Sequence, residues 1–150
     1  MSAAAPAAVV DALNGLLEAE LNSVFRFMGE GSPYLSRANS EIRRPLNEMV
    51  LAGQRRAMEL ADTIDRLGGI PIPKSIQPEE QYLAFLTLKF LLPKLASAKQ
   101  LIIQRYENAI RAIKPAAAPD VLRMLQAHVA EMQAEKGLLE KASADVIAKK

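Results

Sequence analysis

The stretch Gly53–Pro71, GQRRAMELADTIDRLGGIP, constrains the fold of this chain most. Ala57, Leu60, Ala61, Ile64 and Leu67 recur at the three- and four-residue spacing of one helix face. Gly68-Gly69 followed by Pro71 then predicts a helix end, because glycine takes the left-handed cap and proline cannot continue the helix. Gly53 and Arg56 fall on or beside the same stripe, where an all-apolar core would want neither.

Helices of this kind suit the rest of the chain. Half of its 150 residues are hydrophobic and only four Phe and three Tyr are aromatic, a composition rich in Ala and Leu that favours helix over sheet. The length predicts a single domain over residues 1–150, large enough to bury a core without staples. Cysteine is absent and His128 is the only histidine, which excludes disulfides, thiolate metal sites and multi-histidine metal sites. The net charge of +2 is small and its charges are interspersed, so no basic face for nucleic acid is expected. No apolar run reaches the ~20 residues needed to span a bilayer. The first nine residues show no signal peptide pattern, and the expected setting is cytoplasmic.

Four long helices are predicted. The first begins near Pro6 and carries Val9, Leu13, Leu16, Leu17, Val24, Phe27 and Met28 on one face, ending at Gly29-Glu30-Gly31-Ser32-Pro33. The second runs from Ser40 or Arg44 to Leu67, with Pro45 in its first turn or at a kink. Residues 68–92 form a long connection in which Pro78-Glu79-Glu80 starts a short helix, and Pro93 divides that helix from a third one over Lys94–Ile113. After the linker Lys114–Pro119 comes the fourth helix, with Asp120 in its first turn and its end near Ile147. One long crossover and two short turns allow the second and third helices to run parallel. The apolar stretch Tyr82–Leu92 is expected to pack over the bundle.

Charges interrupt each apolar stripe near its middle. Glu20 lies seven residues from Leu13 and Phe27; Arg56 lies seven after Met49; Lys99 lies seven from Leu92 and Tyr106; Glu131 lies seven from Met124 and Leu138. A lone buried charge costs several kcal/mol, so two acids and two bases at matching depth are expected to meet as a neutral hydrogen-bonded cluster.

The residues Leu13-Asn14-x-Leu16-Leu17-x-x-Glu20-Leu21, Ala57-x-x-Leu60-Ala61-x-x-Ile64-x-x-Leu67-Gly68-Gly69-x-Pro71 and Tyr106-x-x-Ala109-Ile110 give the chain a resemblance to the ferritin-like superfamily, in the style of bacterioferritin-type and rubrerythrin-type four-helix bundles. That resemblance implies an all-α, ferritin-like bundle with its long crossover between the second and third helices. It also implies where a di-iron site would lie. The first-helix ligand falls on Glu20; the Glu-x-x-His pair of the second helix falls on Gly53 and Arg56. The third-helix glutamate falls on Lys99, and the second Glu-x-x-His pair falls on Glu131 and Ala134. On this reading two ligand positions survive, two are cationic and two are small, so the metal centre is replaced by ion pairs and no metal or cofactor is expected.

The expected function is therefore a non-catalytic structural, binding or interaction protein, with a homodimer as its expected assembly. The alternative is a metal-binding ferritin-like protein, handling iron or acting as an oxidoreductase, with a non-standard site around Glu20, Glu131 and His128. A third possibility is a small-molecule binder using space vacated at Gly53 and Ala134.

Overall fold

The computed structural model describes residues 6–22, 40–73 and 88–148, which form the helices α1 (Ala7–Leu21), α2 (Ser40–Arg66), α3 (Leu88–Ile113) and α4 (Pro119–Ala148). Val24, Phe27, Met28, the Gly29–Pro33 breaker and the Tyr82–Thr87 part of the apolar stretch lie outside the described residues.

Pairwise contacts fix the helix directions. Gly69, just beyond α2, lies against Val10 near the start of α1, while Arg56 reaches Glu20 near its end; the two helices run antiparallel. Arg66 meets Asp120 and Arg56 meets Glu135, so α2 also opposes α4. Tyr106 meets His128 and Lys99 meets Glu135, so α3 opposes α4 as well. It follows that α2 and α3 are parallel, as the long connection between them predicted.

The end of α2 shows how closely the sequence sets the geometry. Gly68 has φ +86° and its N–H bonds Asp65 O at 3.0 Å, while Gly69 N–H bonds Ile64 O at 2.9 Å. This is the two-bond Schellman cap, and Gly68 supplies the left-handed residue it needs. Gly69 is required for a different reason: a Cβ there would lie 2.6 Å from Val10 Cγ1. The chain leaving the cap is then tied to α1 by Asn14, whose Nδ2 donates to Ile70 O (3.1 Å) and whose Oδ1 accepts from Ile72 N (2.8 Å).

Both internal prolines sit within helices, and here one expectation is corrected. Pro93 does not divide two helices; α3 runs through it from Leu88. Proline removes one backbone hydrogen bond and crowds the preceding turn, but Pro93 is exposed whereas Leu91, Leu92 and Leu95 beside it are fully buried. Burial of three leucines, each worth about 1.5–3 kcal/mol, outweighs the lost bond. Pro45 likewise lies inside α2, which starts at Ser40.

Two apolar layers result. Val9, Leu13, Leu16, Leu17, Leu60, Ile64, Ile103, Ile113, Val121 and Leu125 fill one end of the bundle. Leu46, Met49, Val50, Leu91, Leu92, Leu95 and Leu139 are buried along the other half. Between the layers lie charged side chains.

Candidate functional site

Each helix delivers a long polar side chain to this middle layer from a position on its own apolar stripe. Arg56 and Lys99 are buried to 1% exposure or less, among the largest fully buried side chains of the described residues. Arg56 is the hub. Its Nε donates to Glu20 Oε2 (2.8 Å), Nη1 to Glu131 Oε1 (2.6 Å) and Glu135 Oε2 (3.3 Å), and Nη2 to Glu135 Oε1 (3.4 Å). Lys99 Nζ lies 2.8 Å from Glu135 Oε1.

A second arm leaves Glu20. Its Oε2 also accepts the Tyr106 hydroxyl at 2.8 Å, and that hydroxyl lies 3.2 Å from His128 Nδ1. His128 Nε2 is 2.7 Å from Glu59 Oε1, and Arg55 bridges Glu59 Oε2 (3.0 Å) to Glu131. Arg56, Glu20, Tyr106, His128, Glu59, Arg55 and Glu131 thus close a ring, from which Glu135 and Lys99 branch.

Electrostatics follow from burial and pairing. Desolvation alone would lower the Arg56 pKa, but Glu20 and Glu135 more than reverse it, so the guanidinium stays charged. Burial lowers the Lys99 pKa, opposed by Glu135. The hydrogen bond to His128, then Arg55, holds Glu59 below the usual carboxylate range. Burial, reinforced by Glu20, raises Tyr106 well above its ordinary value.

All four expected members join the network, three of them at its centre. Glu20, Arg56 and Lys99 are central as predicted, but Glu131 is at the rim, with its side chain 35% exposed. The inner carboxylate of α4 is Glu135. The reason is one of register: Val121, Leu125, His128, Met132, Glu135 and Leu139 are all buried, whereas Leu138, the supposed flank of Glu131, is exposed. Ala134 is also exposed and lies off this face. Beside Gly53, Arg56 Nη2 and Glu20 Oε1 stand 3.6 and 3.7 Å from where a Cβ would be, ordinary contact distances that place this position directly against the ion pair.

Glu135, Tyr106, Glu59 and Arg55 escaped the sequence reading as members of the cluster. Glu135 was accessible in principle. His128 and Glu135 are seven residues apart and alternate at four and three with Leu125, Met132 and Leu139. Admitting a histidine and a glutamate to that stripe gives the correct face. Glu59 and Arg55 flank the α2 stripe and carry no such signal.

No family model and no curated protein matches the chain in sequence. Its structure superposes on the X-ray structure of the Desulfovibrio desulfuricans bacterioferritin, described with its diiron site in different catalytic states, with a TM-score of 0.80 over 95% of this chain and 82% of that one. The bundle is ferritin-like. At 18% identity the likeness carries the ferritin-like fold and not the diiron chemistry.

Whether a metal pair fits this ferritin-like bundle is decided by its own side chains. Among the described residues, no group of three or more His, Cys, Asp and Glu is placed to hold a metal ion. The carboxylates that reach the centre converge on a guanidinium and an ammonium instead. Nor do Glu20, Glu131 and His128 form a common site. The Tyr106 hydroxyl stands between Glu20 and His128, and Glu131 is held by Arg55 and Arg56. No helix of the described residues is long and apolar enough to cross a membrane.

Proposed function

We propose that this chain is a ferritin-like bundle whose di-iron centre has been lost and replaced by an internal ion-pair network, leaving a non-catalytic structural, binding or interaction protein. The observation that supports this most is Arg56. A fully buried guanidinium, hydrogen-bonded to carboxylates from α1 and α4, occupies the place where inward-pointing ligands of a metal pair would converge. A divalent cation there would be repelled by Arg56 and Lys99 and would have to compete for acids already engaged. Gly53, beside the Arg56–Glu20 pair, contributes no ligand. The network keeps four helices in register through a polar centre, a role in which removing one partner costs more than the pair itself contributes.

Calorimetric titration of the purified protein with Fe²⁺ and Zn²⁺, alongside elemental analysis, tests this reading. The expected result is no stoichiometric binding. Stoichiometric binding that disappears in His128→Ala would overturn it in favour of a metal-handling protein.

A further inference from the structure

His128 is hydrogen-bonded at both ring nitrogens, and the donors in its chain can be counted. A carboxylate only accepts, so the Nε2 facing Glu59 Oε1 at 2.7 Å carries a hydrogen. The Nδ1 side is different. The Tyr106 oxygen lies 3.2 Å from Nδ1 and 2.8 Å from Glu20 Oε2, and a phenol has one hydrogen to give. With His128 neutral, Nδ1 and Glu20 are rival acceptors for that hydrogen. With His128 carrying both ring protons, Nδ1–H donates to the Tyr106 oxygen, which donates to Glu20, and every link is filled.

We propose that His128 and Tyr106 form a proton-operated rotor: protonation of His128 Nδ1 turns the Tyr106 hydroxyl onto Glu20, and deprotonation turns it onto the imidazole. In the second state Glu20 Oε2 keeps Arg56 Nε but loses the phenol. A single proton on α4 thereby changes the hydrogen bonding of a carboxylate on α1 that the imidazole does not touch.

The surroundings fit such a device. Facing His128 are Glu59 of α2, with Arg55 and Arg56 behind it, and Tyr106 of α3, with Lys99 farther along that helix. Glu20 of α1 is reached through the hydroxyl, and Glu131 and Glu135 follow on α4 itself. Glu20, Glu59, Glu131 and Glu135 outnumber Arg55, Arg56 and Lys99 by one charge, which a second proton on His128 balances. Burial holds the Tyr106 phenol protonated, so its hydrogen is always available to turn. Glu59, whose side chain is 40% exposed, links the Nε2 side of the buried imidazole to the protein surface. This inference rests on hydrogen-bond geometry and goes beyond the proposed loss of the metal centre; either can fail without the other.

The chain has one histidine, so its ring ¹⁵N resonances are unambiguous. As pH is lowered, the Glu20 carboxyl ¹³C and Arg56 ¹⁵Nε resonances are expected to shift with the same midpoint as the His128 ring. In Tyr106→Phe, which keeps the aromatic packing, His128 still titrates but the shifts at Glu20 and Arg56 are lost. In His128→Gln the step at Glu20 and Arg56 is lost altogether. The rotor is overturned if Glu20 and Arg56 stay flat while His128 titrates, or if they follow equally in Tyr106→Phe. A His128 ring that keeps one protonation state over the whole folded range overturns it too.

Discussion

Arg56 and Lys99 are both buried cations, yet their removal should not cost the same. Arg56 bonds three carboxylates, so Arg56→Met leaves Glu20 with the Tyr106 hydroxyl but without its guanidinium, and loosens Glu131 and Glu135 together. Breaking a buried pair in this way costs about 3–5 kcal/mol. Lys99→Met leaves Glu135 with Arg56 still within 3.4 Å, and its loss is expected to be smaller. Urea unfolding of the two variants checks the order; an equal or reversed order would remove Arg56 from the hub. Tyr106 adds a pH signature. Its folded-state pKa lies above the unfolded value near 10, so its contribution is complete below pH 10 and is lost as pH rises toward the folded value. Tyr106→Phe should therefore flatten the alkaline limb of the stability curve, measured as denaturation midpoints between pH 9 and about 11.

At the scale of the helix, glycines separate positions that look alike in sequence. Gly69→Ala places a methyl 2.6 Å from Val10 Cγ1, a stiff β-branched neighbour that cannot easily move aside. Overpacking of this kind costs about 1–3 kcal/mol. Gly53→Ala meets nothing closer than 3.6 Å and sits within α2, so it should be neutral or stabilise by up to ~1 kcal/mol through helix propensity. Thermal melts of the two variants should move in opposite directions, or one should fall while the other stays. The prolines give the reverse lesson. Pro93 reads locally as a divider, but the leucines around it bury so much apolar surface that α3 continues through it.

For the whole molecule, the homodimer expected from the sequence stands as a proposal. Leu51 and Met58 are 56% and 67% exposed one heptad apart on α2, apolar surface that a second copy would cover. Sedimentation velocity should show a dimer that weakens in Leu51→Glu; a clean monomer at high concentration would overturn the proposal. Much of the architecture was legible beforehand. The four long helices of the described residues, the parallel course of α2 and α3, the Gly68-Gly69 cap and the burial of Glu20, Arg56 and Lys99 follow from period, turn residues and the distance between stripes. These are local properties, carried by neighbours within a turn or two. What only the tertiary structure decided is the partnering. Glu135 rather than Glu131 reaches Lys99, and Tyr106 and His128 link Glu20 to Glu59, because the register of α4 against α2 and α3 is set by packing across the bundle. A stripe in sequence says that a charge faces inward; which charge it meets depends on three other helices, and only their arrangement in space determines that.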